Sequence, residues 1–348
     1  MSSSHPHQNL IASPLKIYAF AILAIWAISS HAIEEIEVSI TRQPGASYWE
    51  TTASIAQLSS EDLQHQFARS LPEALAEQSG VLVQKTANGQ GSPYIRGFTG
   101  YRTLVLIDGV RYNNSVYRDG PNEYFSLIDI NSIERLELLN GPATVLYGSD
   151  SIGGSLYLQT KSTKFQSRST GTLFLQGAQH YRYASAEDSH QSQTELQFGR
   201  GERWGTKAVI SHKYFGNVDA AEIGKQPTTG YDEHTAHLRT DIQLAENWAL
   251  TATYQQLKQD DVWRTHSTIY AKSFAGSEVG SDLRRLKDQQ RQLSYIKLQN
   301  EQYRALSDSI KLTLSHQRWQ EDGDRIRSDS RRTLESFTSN MLGVDLQL

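Results

Sequence analysis

The chain has 348 residues, 38% of them hydrophobic, and a mean hydropathy of −0.53. This length can bury the cores of two or three domains, and the mean hydropathy is too low for a bundle of membrane helices. Thirty-four basic residues against 38 acidic residues give a net charge of −4, so the charge balance indicates no nucleic-acid partner. A chain without cysteine has no disulfide scaffold, thiol nucleophile or zinc–thiolate site.

A short apolar run, Ile17–Ile28, stands near the start of the chain, after Lys16 and before small residues that end at Ala32. This order of a basic residue, an apolar run and a small-residue cleavage site is typical of a secretory signal peptide. The run has 12 residues, fewer than the roughly 20 that a helix needs to span a bilayer, so an uncleaved anchor is the weaker alternative. We therefore expect residues 1–32 to be removed, and the mature chain to begin outside the cytoplasm at Ile33.

Residues 43–163 mix short helix signals, short apolar runs and glycine turns. Ser70 and Glu73 have the spacing of a capping box, which predicts a helix over 70–79 that ends at Gly80. The other predicted elements are strands at 81–83, 93–96, 103–107, 133–138 and 155–159, a hairpin turn at Asp108-Gly109, and a short helix from Gly141-Pro142 to Gly148. Together these elements predict a small α+β domain.

The pattern changes in residues 170–348, where apolar and polar side chains alternate. In residues 236–244, for example, Leu238 and Ile242 alternate with Arg239 and Asp241, which predicts a strand with one apolar and one polar face. About eight such segments follow one another. The predicted connections are 182–190, 200–203, 217–232, 245–247, 258–289, 301–305 and 320–335. After the first connection, short and long connections alternate, as in a transmembrane β-barrel with short periplasmic turns and long outer loops. A soluble, secreted β-rich sheet is the weaker alternative.

Five segments of residues 33–161 resemble, in order and spacing, the plug domain of TonB-dependent outer-membrane receptors. The segments are IRGFTGYR (95–102), LVLIDGV (104–110), IERLELLNGPA (133–143), LYGS (146–149) and IGG (152–154). The positions that match the plug motifs are Arg96, Gly97, Asp108, Gly109, Glu134, Arg135, Glu137, Gly141, Pro142, Tyr147 and Gly148. The resemblance implies an α+β plug followed by antiparallel transmembrane β-barrel strands, in the outer membrane of a Gram-negative bacterium. Residues 170–348 share this resemblance through their architecture alone.

The segment 33–42, just after the expected cleavage site, looks like the TonB box of this family. Its candidate TonB-binding residues are Glu34, Glu35, Ile36, Glu37, Val38, Ser39 and Ile40. An extended, β-prone segment of this kind can add to an exposed strand of TonB through main-chain hydrogen bonds. The alternative is that these residues form the first strand of the plug, but their position near the mature N-terminus favours the box.

The resemblance also implies a lock between plug and barrel wall. In the family, an arginine of the RGF-like motif and a basic residue before the GP pair contact barrel carboxylates. Arg96 matches the first of these positions, whereas Asn140 replaces the second, so we expect that half of the lock to be weakened or supplied by Arg135. Glu134 and Glu137 are expected to form a charge-paired strand face, and a role in plug movement is the less favoured alternative.

Two plug segments, 98–102 and 112–125, are expected to point outward, toward ligand. They combine aromatic rings with arginine, which supplies charge and stacking together and suits an anionic, ring-containing metal chelate. The candidate ligand-binding residues are Tyr101, Arg102, Tyr117 and Arg118. The alternative is that these residues belong to solvated loop tips.

Other ligands and other classes of function are weaker. Haem receptors of this family use histidine ligands, but neither outward segment contains histidine, and the loop residues His190, His234 and His266 are more simply solvent-exposed. Cobalamin stays open. An acidic loop with Asp322, Asp324 and Asp329 lacks the spacing of a calcium-binding EF-hand. We predict no metal site, no cofactor and no enzymatic activity, because metalloprotease, hydrolase, dinucleotide and P-loop motifs are missing from the sequence.

The sequence therefore predicts TonB-dependent active transport of a scarce nutrient, a ferric-siderophore-type chelate, with TonB, the ligand and outer-membrane lipid as partners. Alternatives are a haem or cobalamin receptor of the same family, or a surface protein that binds or adheres without transport. Plugged barrels of this type have about 22 strands, and about eight are expected here. The chain also stops inside an alternating strand, so we expect an N-terminal fragment with an incomplete barrel.

Overall fold

The structure is a computed structural model that describes residues 54–117, 119–121, 123–163, 171–201, 203–300 and 309–348. The predicted signal peptide and the predicted TonB box, 33–42, lie outside these residues. The described residues form two units, which we call the plug (54–163) and the wall (171–348). No helix within the described ranges is long and apolar enough to cross a membrane.

The plug is built around a five-stranded sheet with short helices beside it. The strands have the order β1-β6-β7-β4-β5, and β4 and β7 run parallel while the other neighbours are antiparallel. Its strands are β1 (Ile55–Ser59), β4 (Thr103–Ile107), β5 (Val110–Arg111), β6 (Ile133–Asn140) and β7 (Gly154–Thr160), and β2 (Val81–Ala87) pairs with β3 (Gln90–Ile95) as a separate hairpin. The helices are α1 (Ser60–His65), α2 (Leu71–Leu75) and α3 (Thr144–Tyr147), with 3-10 turns at Gly100–Arg102, Glu123–Leu127 and Ile130–Ser132.

The predicted capping box at Ser70 is wrong. The Ser70 side chain makes no capping hydrogen bond, and α2 ends at Leu75 rather than at residue 79. The Glu73 carboxylate accepts a hydrogen bond from the Arg69 backbone N–H at 2.7 Å and is held by basic side chains, so it is not available to the Ser70 N–H. The capping box lies instead at Ser59, one helix earlier, where Ser59 and Asp62 satisfy each other's backbone N–H groups.

The predicted hairpin at Asp108-Gly109 is confirmed. Ile107 pairs with Val110 across it, and both turn residues have positive φ angles, 51° and 89°. A two-residue hairpin turn whose twist matches that of its strands has positive φ angles at both residues, and aspartate and glycine tolerate such angles well. The turn therefore fixes Asp108 at the end of β4.

The wall is one antiparallel sheet of eight long strands in the order β17-β16-β15-β14-β13-β10-β9-β8. The strands are β8 (Leu173–Ala184), β9 (Ser189–Arg200), β10 (Trp204–Phe215), β13 (Tyr231–Ala245), β14 (Trp248–Trp263), β15 (Arg284–Asn300), β16 (Ile310–Ile326) and β17 (Arg332–Gln347). Two short strands, β11 (Asp219–Ala220) and β12 (Gly224–Lys225), pair within one loop. Within the described residues β8 and β17 do not pair, so the barrel is not closed.

The predicted alternation decides which way each wall side chain points. Leu238, Ile296 and Leu314 are exposed on the outer face, whereas His237 and Tyr295 are buried on the inner face that meets the plug. An apolar outer face is what lipid requires of a membrane strand.

The connections divide the wall into two ends. The loop end carries residues 185–188, 216–230, 264–283 and 327–331, and the turn end carries residues 201, 203 and 246–247. The predicted loop 320–335 is wrong. β16 extends to Ile326 and β17 begins at Arg332, so only a short turn joins them. Asp322 and Asp324 consequently lie on β16 rather than in a loop.

Candidate functional site at the plug–wall interface

An ionic junction ties the plug to the loop end of the wall. Arg69 Nη2 lies 2.7 Å from Glu73 Oε1, and the same guanidinium forms an ion pair with Glu187 of the wall. Its Nη1 also donates to Asn88 Oδ1 at 3.0 Å, and Lys85 forms a second ion pair with Glu73. Burial alone would raise the pKa of Glu73, but hydrogen bonds and charge from Arg69, then from Lys85, outweigh it and lower that pKa to about 2.

The tip of the β2–β3 hairpin packs directly on the inner face of the wall. Gly89 approaches Tyr231 so closely that a Cβ at this position would lie 2.8 Å from the ring. Gln259 Nε2 donates to the Gly89 carbonyl at 3.2 Å, and Gln90 Nε2 donates to Gln289 Oε1 at 3.1 Å. The hairpin tip therefore touches three adjacent strands, β13, β14 and β15.

A buried lysine joins the middle of the plug to the wall. Lys213 Nζ lies 3.0 Å from Asp129 of the plug and 2.6 Å from Glu233 of the neighbouring wall strand. Thr235 Oγ1 donates to the second Asp129 oxygen at 2.9 Å, and Gln259 Nε2 donates to Glu233 at 2.9 Å. Burial opposes ionisation of Asp129, but the charge of Lys213 and the hydrogen bonds from Lys213 and Thr235 lower its pKa below the ordinary value. Buried charges are tolerated only when they are paired in this way.

A third junction surrounds Asp108. Its carboxylate accepts hydrogen bonds from the Thr160 backbone N–H at 2.9 Å, the Thr160 hydroxyl at 2.6 Å and the Tyr295 hydroxyl at 2.8 Å. Lys297 Nζ donates to the Asp108 carbonyl at 2.6 Å, and Arg239 Nη1 lies 3.8 Å from the carboxylate. Burial would raise the pKa of Asp108, but the charges of Arg239 and Lys297 and the hydrogen bonds of Thr160 lower it.

The structure separates Tyr101 and Arg102 from Tyr117 among the predicted ligand-binding residues. Tyr101 is 38% exposed, and the Arg102 guanidinium lies 4.8 Å above its ring and forms an ion pair with Asp119. Arg118 lies outside the described residues. Tyr101 and Arg102 thus form one accessible pair of an aromatic ring and a cation.

The predicted outward orientation of Tyr117 is wrong. Tyr117 is 8% exposed and stacks on Tyr124 with ring centroids 5.5 Å apart. Tyr112 and Trp319 of the wall meet its edge, at 6.3 and 6.5 Å. This aromatic cluster buries much of segment 112–125 against the wall, because Trp319 supplies a packing partner that the plug sequence does not contain.

The residues of the predicted lock lie within the plug. Arg96 is exposed beside Gly141, and among the described residues it makes no ion pair with a wall carboxylate, so its family role stays a prediction. Arg135 donates to Gln159 at 2.8 Å and lies 3.4 Å from Glu137, both in the plug sheet. Whether Arg135 takes over the role of Asn140 therefore stays a prediction.

Sequence reasoning named Asp108 as a plug-motif residue but missed its contact with the wall, as it missed the contacts of the other residues that join plug and wall. The wall contributes Lys213, Glu233, Arg239, Tyr295 and Lys297, and the plug contributes Asp129 and Asp108. The available signal was a charged side chain on the polar face of a predicted strand, but many wall residues share it.

Comparisons with known proteins agree with this architecture. Residues 48–155 match the family described as TonB-dependent Receptor Plug Domain. An iron-regulated outer membrane virulence protein of Vibrio cholerae is 39% identical over 119 residues, which are 33% of this chain and 18% of that protein. A vitamin B12 transporter of Photobacterium profundum is 28% identical over 201 residues, 57% of this chain and 31% of that protein. The chain thus spans a third or less of the length of these relatives.

Solved structures share the fold over both units. A siderophore receptor of Acinetobacter baumannii aligns with a TM-score of 0.61 and 16% identity, over 86% of this chain and 43% of that one. The hemophore receptor of Serratia marcescens aligns with a TM-score of 0.66 and 17% identity, over 86% and 42%. The relatives are outer-membrane proteins of Gram-negative bacteria, and this chain has the same localisation. It has the plug domain and the first part of the β-barrel of a TonB-dependent outer-membrane receptor.

Proposed function

We propose that the protein transports a ferric-siderophore-type chelate across the outer membrane at the expense of energy delivered by TonB. The observation that carries the transport proposal is the plug–wall interface: two plug carboxylates, Asp108 and Asp129, are buried against cations of the wall. A plug held in this way blocks the inner face of the wall, and moving it requires work because buried charges lose their partners.

The exposed pair of Tyr101 and Arg102 supports the proposal that the ligand is a chelate. A guanidinium stacked on a tyrosine ring presents positive charge and an aromatic edge together, which suits an anionic chelate with aromatic rings. The names of two similar proteins, an iron-regulated outer membrane protein and a siderophore receptor, point to the same class of ligand.

The proposed TonB contact is the segment Glu34–Ile40, acting by β-augmentation. Main-chain hydrogen bonds carry such a contact, so Val38→Pro and Ile36→Pro, which remove a backbone donor, are expected to abolish uptake while ligand binding at the cell surface persists. Val38→Ala keeps the donor and is the matched control. Unchanged uptake in both proline variants would contradict the assignment of the box.

A second candidate ligand is cobalamin. The similarity to a vitamin B12 transporter covers 57% of this chain and so runs beyond the plug into the wall. Cells that express the receptor would be given a radio-iron-labelled ferric tricatecholate, haemin or labelled cyanocobalamin, each with and without TonB. TonB-dependent accumulation of the catecholate alone supports the first proposal, and accumulation of cyanocobalamin alone replaces it. If a probe binds equally well with and without TonB, and no probe accumulates in a TonB-dependent way, the protein is a surface protein that binds without transport.

A further inference from the structure

Asp108 is one of the enclosed acidic contacts between the plug and the wall. It is 4% exposed and lies in the left-handed conformation at φ 51°, in the two-residue turn between β4 and β5. Because β4 and β7 are parallel and in register at Ile107 and Leu158, the ends of both strands meet here. Asp108, just after the end of β4, and Thr160, the last residue of β7, are joined by two hydrogen bonds, so one carboxylate ties together the two parallel strands of the plug.

The wall offers a pocket of matching chemistry to this turn. Tyr295 and Lys297 are two residues apart on β15 and therefore face the same side of the sheet. Arg239 lies in the same cross-strand row as Tyr295, with Thr253 of β14 between them. The tyrosine hydroxyl donates to the Asp108 carboxylate, the lysine donates to its carbonyl, and the arginine adds positive charge. The wall thus contacts both the side chain and the backbone carbonyl of Asp108.

The loop-end junction differs in its access to water. Lys85 there is 40% exposed and Arg69 24% exposed, whereas Asp108 is enclosed on all sides. Water and salt weaken exposed ion pairs, but they do not reach a buried one. Of these two junctions, the one around Asp108 is thus better protected from competing water and salt.

The contact of Asp108 with the wall and the segment on which TonB would pull lie near opposite edges of the plug sheet. The segment that precedes the described residues leads into β1, at one edge of the plug sheet, and Asp108 follows β4, near the other edge. We propose that Asp108 anchors the plug to the wall during transport, holding β4 and β7 against β13–β15 while TonB pulls on the N-terminal segment. This inference rests on the proposed function for its role, but the attachment itself can be tested separately.

The test is Asp108→Asn in the receptor expressed from its own gene in the outer membrane. Asparagine tolerates the left-handed turn and keeps the shape of the side chain, but it removes the charge that faces Arg239. The matched control is Asp188→Asn, since Asp188 also has a positive φ, 49°, in a wall turn but its side chain is 68% exposed. Susceptibility to vancomycin, a large hydrophilic antibiotic, reports whether the plug still closes the barrel.

We expect Asp108→Asn to lower the inhibitory concentration of vancomycin at least fourfold in cells with active TonB, and Asp188→Asn to leave it unchanged. Tyr295→Phe, which removes only a hydroxyl, should give a smaller decrease, and Tyr254→Phe on the outer face should give none. Combining Asp108→Asn with Tyr295→Phe should add little, because both changes act on one contact. Immunoblots of heat-resistant protein in outer membranes verify that every variant folds.

Equal vancomycin resistance of Asp108→Asn, Asp188→Asn and the parent receptor, at equal levels of folded protein, would overturn the anchor. Leakage that is the same with and without TonB would also contradict it, because a purely structural defect does not need the pull. If the parent receptor accumulates none of the three probes in a TonB-dependent way, the proposed nutrient transport fails. The antibiotic assay still decides whether Asp108 holds the plug, since it needs no ligand.

Discussion

The ammonium group of Lys213 in the wall lies 3.0 Å from the carboxylate of Asp129 in the plug, and the two side chains are only 2% and 8% exposed. Glu233 approaches the same ammonium at 2.6 Å, so one lysine neutralises two carboxylates from different units. Without it, two like charges would face each other in a space that water does not reach. The plug–wall interface is therefore held by charge pairs whose partners come from distant parts of the chain.

Replacing Lys213 should destabilise the folded receptor more than replacing any exposed lysine. We expect Lys213→Met to lower the free energy of unfolding by about 3–5 kcal/mol, the usual cost of removing one partner of a buried ion pair. Lys258→Met is the control, since Lys258 is 45% exposed and its pair with Asp260 is worth at most about 1 kcal/mol. Urea unfolding in detergent micelles, followed by tryptophan fluorescence, measures both. Equal losses in the two variants would show that Lys213 is not a structural charge partner.

Acid should weaken the loop-end junction in a defined range of pH. The pKa of Glu73 is lowered from 4.5 to about 2 in the folded protein, so its ionised form stabilises the fold fully above pH 4.5. That stabilisation is lost progressively as the pH falls from about 4.5 to about 2. The difference in unfolding free energy between the parent receptor and Glu73→Gln should shrink over this range and vanish below it. A difference for Glu73→Gln that stays constant over this range would refute the charge assignment.

The sequence predicts the parts of the plug and wall better than it predicts their contacts. The turn at Asp108-Gly109 follows from two residues that tolerate positive φ, and the direction of each wall side chain follows from alternation. The pair of Asp129 and Lys213 does not follow, because 84 residues separate them and the polar strand faces hold many other cations. Tyr117 was misjudged for the same reason, since its packing partner, Trp319, belongs to the other unit.

The contact of Gly89 with Tyr231 should make this glycine sensitive to a single methyl group. A Cβ would lie 2.8 Å from the ring, so Gly89→Ala must push the hairpin tip away from the wall, at a cost of about 1–3 kcal/mol. Tyr231→Leu in the same chain should recover part of that loss by removing the ring. Gly323→Ala is the control, because its Cβ would have ordinary contacts, at 3.7 Å or more. Thermal melts of the purified receptor would reveal the cost, and unchanged melting of Gly89→Ala would mean that the tip is not packed against Tyr231.

The exposed pair of Tyr101 and Arg102 should distinguish ligand contacts from packing contacts. Arg102→Ala and Tyr101→Ala are each expected to weaken surface binding of a ferric tricatecholate about tenfold, because the first removes the charge and the second the ring that supports it. Tyr117→Phe should leave the affinity within twofold, since the Tyr117 hydroxyl is buried without a partner inside the described part of the protein. Equilibrium binding of radio-iron-labelled chelate to whole cells at 4 °C, where transport stops, measures all three. A large loss in Tyr117→Phe with none in Arg102→Ala would move the ligand from the exposed pair to the aromatic cluster at Trp319.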